Sequence, residues 1–555
     1  MRDLPRGPWP IAALLTVILA ALVYWIAGAP PLIGIDDANI TQVYARNLAQ
    51  GAGYVYTPGF EHVEGATSPL WTLINMIAFL LSAHPERLVF ALSLLLATAA
   101  LALPAARARA VLSAAPAGGL QPWHVALAWA ACQPSYFTWT SFPLMDQPLW
   151  AFAVSALVVG ADRAAQPAPA RGARGWLAAA AAFACVTRPE AFAVVPWVLG
   201  LAGVAAGAAM GWREAIRRLW PGVAGYAASV VGLTGLRLAY FGVPLPNTYY
   251  AKVSSAQSDN LRAGLAYVAQ FCLSDPLLCA GVASAFVVFA VSCAQVSRAK
   301  SVAPAAVRAT NFAFIAAGSV VGALLIQCME GGDHFTGFRL LIIYVPLIAI
   351  PFGQGGRFVL SRLRLTRLYL PGLAAALGLA WEYAHVAALP GPGMEVGLAL
   401  HGRLLGLALN AGLPPPLPTV GVTAAGGVAL TYHGRVLDEL GLNWPEMAHA
   451  SGRRTVPVGH SAFDPEEFWR EPADILLPAF VWETKIPGRL TVTPFQNLIL
   501  KNILLTPRFR AAYAPGVMPT PYGPIYGFFA TAYLGNMAPG SRPAPVSWGE
   551  VVVGK

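Results

Sequence analysis

The chain is punctuated by apolar runs of the length that a lipid bilayer demands. They lie at roughly 10–29, 87–106, 123–141, 146–162, 175–189, 190–209, 218–241, 275–295, 309–328, 338–354 and 368–389. A hydrocarbon core about 30 Å thick is crossed by about 20 helical residues, because a helix satisfies its own backbone groups where no water is present. These runs define a polytopic α-helical membrane protein. Its charge content agrees, at 11% of residues, against about 25% in soluble domains. The net charge of +10 does not point to nucleic acid, since the basic residues fall in short clusters between apolar runs. There they act as topology signals.

The opening "MRDLPRGPWPIAALLTVILAALVYWIAGAPP" has signal-peptide features, including an Ala-Gly-Ala site. Its apolar stretch is long for a signal and right for a span. The expectation is an uncleaved first helix, with Arg2 and Arg6 in the cytoplasm.

Basic clusters occur at Arg107/Arg109, Arg163/Arg171/Arg174, Arg213/Arg217/Arg218, Arg298/Lys300/Arg308 and Arg357 through Arg367. If the shorter apolar run 70–83 does not span, the positive-inside rule is met at every cluster; if it spans, every cluster flips outward. The expected architecture is therefore about eleven spans plus a short re-entrant or interfacial helix at 70–83. The loops left on the outer side are 30–69, "SFPLMDQP", "TRPE", "GVPLPNTYYAK" and "MEGGDHFTGFR". They hold nearly all the unusual polar residues, so an outward-facing site is the economical reading.

Long apolar runs stop near residue 390. Short apolar stretches, a Gly-rich turn and a helical segment follow in "PTVGVTAAGGVALTYHGRVLDELGLNWPEMAHA", with "ADILLP" as one more strand. The expected division is a membrane catalytic domain over 1–389 and a small extracytoplasmic α/β domain over 390–555, the last forty residues being loop.

Asp36 and Asp37 open the first outer loop. One aspartate of such a pair can take a proton from a hydroxyl while its neighbour orients it. The plainer reading is an Asp N-cap on the helix "ANITQVYARNLAQG", whose buried face is Ile40, Val43, Tyr44, Asn47 and Leu48 and whose stop is Gly51. Glu64 precedes Gly65, and Ser68 with Pro69 reads as the start of a helix. Arg188 and Glu190 flank Pro189 either as a salt bridge pinning a helical hairpin or as an anion site. Asn247, Tyr249, Tyr250 and Lys252 suit a sugar and a phosphate, or else an interfacial aromatic belt with a snorkelling lysine. Glu330, Asp333, His334 and Arg339 crowd another loop, either as a capped turn or as a ligand site. Asp333 and His334 alone are too few to define a metal centre. A divalent cation stays an open alternative and no other cofactor is called for. Six cysteines lie mostly in apolar runs, as small buried hydrophobes; Cys272 and Cys279 could pair if both face an oxidising compartment.

Several stretches resemble, in the same order, a group of GT-C glycosyltransferases around the mycobacterial terminal β-(1→2)-arabinofuranosyltransferase. They are "DDANITQVYARNLAQGAGYVYTPGFEHVEGATSPLW", "TRPE", "YFGVPLPNTYYAK", "GGDHFTGFR" and "GRVLDELGLNWPEMAHA", within residues 30–480. The resemblance implies an enzyme of the bacterial plasma membrane. It would move a sugar from a polyprenyl-phosphate donor, arabinofuranose or another pentose first and hexose second, to a glycan, lipid or protein hydroxyl on the outer face. It implies Asp36 or Asp37 as the catalytic carboxylate and Arg188, Lys252 and Arg339 as donor-phosphate ligands. Glu64, Asp146, Glu190, Asn247, Tyr249, Tyr250, Asp333 and His334 are expected around sugar and acceptor. One departure is "PLMD" at 143–146, where many relatives have Gly-Leu-Glu; this puts the role of Asp146 in question. A flippase for a lipid-linked sugar or an enzyme like the O-antigen ligases are the competing classes.

Overall fold

The computed structural model describes the chain except residues 1–6, 113–119, 170, 299–302, 363–375, 385–391, 451–453, 455–458, 461, 479–489 and 554–555. Arg2, Arg6, Lys300, Arg364 and Arg367 thus lie outside the described residues, as does most of the run 368–389 apart from a helix over 376–384.

Among the described residues seven helices are long and apolar enough to cross a bilayer: Pro8–Ile26, Pro85–Leu112, Gln147–Ala165, Ala191–Met210, Trp212–Phe241, Pro276–Val296 and Pro304–Glu330. The other expected spans differ for local reasons. Run 123–141 is broken into Pro122–Ala131 and Pro134–Trp139, because Pro134 has no N–H to continue the first helix. Run 175–189 forms the 15-residue helix Ala173–Thr187, which stops at an extended Arg188 before Pro189. Run 338–354 begins as one turn, Arg339–Ile342, and resumes as Val345–Arg362. A helix at Gln257–Leu273, unanticipated from the sequence, follows the "PNTYYAK" loop.

Run 70–83 folds as the 13-residue helix Pro69–Leu81, capped by Ser68 Oγ, which accepts from Trp71 N–H. At 1.5 Å per residue it spans about 20 Å, less than a hydrocarbon core. The preceding helix, Asp36–Ala49, buries Ile40, Val43, Tyr44 and Asn47, and Gly51 adopts φ +79 just past its end. Its N-cap is Ile35, with no side-chain capping bond, so neither aspartate caps its own helix.

The bundle is polarised. Arg107 bonds Asp162 and Arg218 bonds the Gln166 carbonyl, joining three basic loops at one end. The polar loops converge at the other, where the helix Gln147–Ala165 begins beside Asp146.

Beyond the bundle lies a mixed sheet of six strands in the order β2-β1-β3-β6-β5-β7. β1 (Val420–Val422) pairs in parallel with β2 (Val436–Asp438) and β3 (Ile475–Leu477). β6 (Ile525–Ala530) runs antiparallel to β3 and to β5 (Tyr513–Met518), and β7 (Ala544–Pro545) closes the edge. β4 (Leu490–Val492) and β8 (Val551–Val553) form a separate parallel pair. The last forty residues are therefore not loop. They supply most of the antiparallel half, because Phe528 and Phe529 alternate faces and bury against both sides of the sheet. None of the six cysteines is in a disulfide; Cys132, Cys185 and Cys328 are buried.

Candidate active site

The adjacent aspartates face different partners. The Asp36 carboxylate turns to the C-terminal region, where it accepts from the N–H groups of Gly426 at 2.9 Å and Gly427 at 2.7 Å. These glycines open the helix Gly426–Thr431. They are required there: a Cβ on Gly426 would lie 1.9 Å from the Asp36 carbonyl oxygen. Asp36 thus caps a helix remote in sequence and ties the start of its own helix to the sheet region. Burial pushes its carboxyl up to about 6, against the pull of the two N–H donors. Asp37, one residue on, projects into a cavity of about 460 Å3 at the polar end of the bundle.

Of the residues expected from the sequence, Asp37, Asp146, Arg188, Glu190, Tyr249, Lys252, Asp333 and Arg339 line that cavity. Arg339 Nη1 donates to Asp37 Oδ2 at 3.1 Å, and its Nε bonds Asp333. The guanidinium lies 4.0 Å from the Phe335 ring centre, a cation–π contact that fixes its plane. Burial works to raise the Asp37 carboxyl, but Lys252, Arg339 and His334 outweigh it and hold it below the usual range. Its side chain remains 24% exposed. An ionised carboxylate with an open face is what a general base requires.

Arg188 is not bare. Its Nη1 donates to both Asp146 oxygens at 2.8 Å, and Nε and Nη2 reach Glu190 Oε1 at 3.0 and 2.7 Å. The salt-bridge reading of "TRPE" is met, and extended to Asp146. Arg188 thus links Asp146 to Glu190. Lys252 has no hydrogen bond or ion pair among the described residues and is the cavity's uncommitted cation.

Five expected residues do not line the cavity. Besides Asp36, Glu64 is buried in a bidentate pair with Arg237, at 2.7 and 2.9 Å. Asn247 Nδ2 donates to the carbonyls of Gly441 and Leu442 at 2.8 and 3.0 Å, docking the "PNTYYAK" turn on the C-terminal region. Tyr250 packs edge-on to Tyr249 and His449. His334 sits beside Asp333, Nδ1 to Oδ1 3.2 Å, and crosses the His460 ring at 4.2 Å. Among the described residues no three His, Cys, Asp or Glu side chains are grouped as a metal site would need.

Two contributors, Arg237 and Arg454, were missed, and Glu330, named with its loop, was not placed among the site residues. Arg237 is a lone arginine within an apolar run, which is itself a signal of a buried partner. Glu330 also lines the cavity and was visible in its loop without a distinguishing pattern. Arg454 enters the lining from the C-terminal region, a placement that only tertiary docking creates. The quoted motifs around it make that docking: Tyr44 Oη donates to Asn443 Oδ1 at 3.0 Å and accepts from Gly65 N–H at 3.0 Å, while Asn443 Nδ2 donates to Asp438.

The bundle with its polar cavity and the mixed α/β region beyond it share the GT-C fold of the following solved structures. The chain is similar in structure to ArnT from Cupriavidus metallidurans bound to undecaprenyl phosphate, with a TM-score of 0.50 and 13% identity over 94% of this chain and 98% of that one. The apo state of the same protein gives 0.51 at 13% identity, with the same coverage. The archaeal oligosaccharyltransferase AglB from Archaeoglobus fulgidus, in complex with an inhibitory peptide and a dolichol-phosphate, gives 0.52 at 12% identity over 95% of this chain and 75% of that one. At these identities the likeness establishes the fold. No protein-family model matches the chain, and no curated protein matches its sequence.

Proposed function

We propose that the chain transfers a sugar from a polyprenyl-phosphate donor to a cell-envelope hydroxyl on the outer face of the bacterial plasma membrane. Residues 1–389 carry the catalytic membrane part and 390–555 an extracytoplasmic part that helps to position the acceptor. The observation that carries this reading is Asp37, ionised and open to a cavity that also holds the uncommitted Lys252. The GT-C fold supports it, as does the likeness to proteins crystallised with undecaprenyl phosphate and dolichol-phosphate.

In the proposed step Asp37 accepts the proton of the acceptor hydroxyl. The freed oxygen forms a bond to the anomeric carbon as the bond from that carbon to the phosphate oxygen breaks. The departing electron pair ends on the lipid phosphate, where Lys252 offsets the added charge. Arg339, held between Asp37 and Asp333, orients the base. Asp36 holds the loop rather than the proton. The sequence resemblance favours arabinofuranose or another pentose over a hexose.

The test is transfer from synthetic decaprenyl-phosphoryl-arabinofuranose by membranes carrying the chain, alongside mass spectrometry of envelope glycans from a deletion strain. Asp37→Asn is expected to abolish transfer, and deletion to remove a pentose. Wild-type transfer by Asp37→Asn would sink the proposal, and a lost hexose would redirect it.

A further inference from the structure

The cavity holds more negative than positive side chains. Asp37, Asp146, Glu190, Asp259, Glu330 and Asp333 line it, against Arg188, Lys252, Arg339 and Arg454. The arginines are committed. Arg188 and Arg339 are each held by two carboxylates, and Arg454 donates to the carbonyls of Ala251, Tyr250 and Ala448. Lys252 is left to meet one anionic group on a ligand, with no second cation for another.

Glu330 differs from the other carboxylates. No salt bridge involves it among the described residues. Its Oε2 accepts from Gln327 Nε2 at 2.7 Å, and its Oε1 has no partner there. It ends the helix Pro304–Glu330, and the chain leaves at once through Gly331 (φ +98) and Gly332 (φ +72), both in the left-handed region that favours glycine. Glu330 lines the same cavity as Asp146, Arg188 and Glu190. This wall offers hydrogen-bond acceptors held in place by one guanidinium, and few donors.

We infer that Glu330, beside the Arg188-held Asp146 and Glu190, forms the sugar-reading wall of the donor site. It selects a neutral sugar whose hydroxyls donate, and it rejects a sugar bearing a carboxylate or a second phosphate. The inference rests on the donor reading above. Hydroxyls satisfy the spare carboxylate oxygens, and an analogue lacking them leaves those oxygens desolvated and unpaired, which is how a polar site discriminates. An anionic sugar brings a further negative charge to Asp37, Asp146, Glu190 and Asp333, whose two arginines are already shared between them.

The experiment measures binding to the purified full-length protein in detergent. The ligands are farnesyl phosphate and its arabinofuranosyl, glucosyl and glucuronosyl diesters. Wild type is expected to bind farnesyl phosphate, to bind both neutral diesters more tightly, and to bind the glucuronosyl diester more weakly than either. Glu330→Ala should weaken the neutral diesters roughly 10- to 100-fold and leave farnesyl phosphate unchanged. Glu330→Gln, the variant to use if alanine impairs folding, keeps an acceptor oxygen at that place and should weaken the neutral diesters less than alanine does. Absence of farnesyl phosphate binding by wild type would remove the donor reading and this inference together. Retained farnesyl phosphate binding with equal affinity for glucuronosyl and neutral diesters, or an equal loss for all four ligands in both variants, would overturn the inference alone.

Discussion

Arg339 Nη1 lies 3.1 Å from Asp37 Oδ2, although the two residues are 302 apart in sequence. One guanidinium thus fixes the Asp37 carboxylate, binds Asp333 and lies over Phe335. A lysine has no planar fork to keep these contacts together. Arg339→Lys is therefore expected to lower kcat on the order of tenfold or more through misplacement of Asp37. The effect on donor KM should be smaller. Steady-state kinetics with a short-chain donor checks the split; a pure KM effect would show that Arg339 serves the phosphate and not the base.

The two neighbouring aspartates should fail in different ways. Asp37→Asn removes the base and should reduce transfer by roughly 100-fold or more with little change in thermal midpoint. Asp36→Asn disturbs the pair of bonds to Gly426 and Gly427 and should destabilise the protein by about 1 kcal/mol, with activity falling in step with folded protein. The Asp36 carboxyl sits at about 6 against an ordinary 3.8, so the folded state holds a proton that the unfolded chain releases. Across that window the Asp36 contribution makes stability fall as pH rises. Asp36→Asn should flatten this part of the slope in thermal melts between pH 4 and 6.

The limits of sequence reading follow from where the partners come from. Apolar run length is a local property set by the bilayer, so the helices at Pro8–Ile26, Ala191–Met210 and Pro276–Val296 were legible. The break at Pro134 was also written in the sequence, yet hydropathy alone hides it, because Cys132 and Gln133 do not interrupt an apolar average. The cavity loops were found through their polar residues. What stayed hidden was direction: Asp36 and Asp37 look alike until Gly426, 390 positions on, takes one of them. Glu64 looked like a site residue because its counter-ion, Arg237, lies 173 positions away. In the final stretch the short strands β5 to β8 have no long periodic pattern, and their pairing is set by distant partners.

The acid limb of activity should follow the charges around Asp37. Burial raises that carboxyl, and Lys252 is the first of the charges that bring it down again. In the wild type the base should stay ionised to below the usual carboxylate range, with kcat/KM falling only under acid conditions. Lys252→Gln removes a lowering influence, so the limb should move to higher pH, in addition to a higher donor KM. A pH profile of kcat/KM in both proteins checks the direction; a limb that moves to lower pH would contradict the charge arrangement.

Glu64 and Arg237 should behave as a structural pair. Both side chains are almost fully buried, at 4% and 3% exposure, and they share two hydrogen bonds. Glu64→Gln would leave the Arg237 guanidinium without a counter-charge, and breaking a buried pair in this way costs about 3–5 kcal/mol. The Glu64 backbone also carries the turn that holds Asn247, through an N–H···O bond of 3.0 Å. Loss of the pair should therefore loosen the loop bearing Lys252 as well as the fold. The double variant Glu64→Leu with Arg237→Met removes both charges and should be more stable than Glu64→Gln alone. Thermal unfolding of the three proteins in detergent gives the order. If the double variant is the least stable, the pair contributes more than charge balance, and the shared hydrogen bonds hold the turn directly.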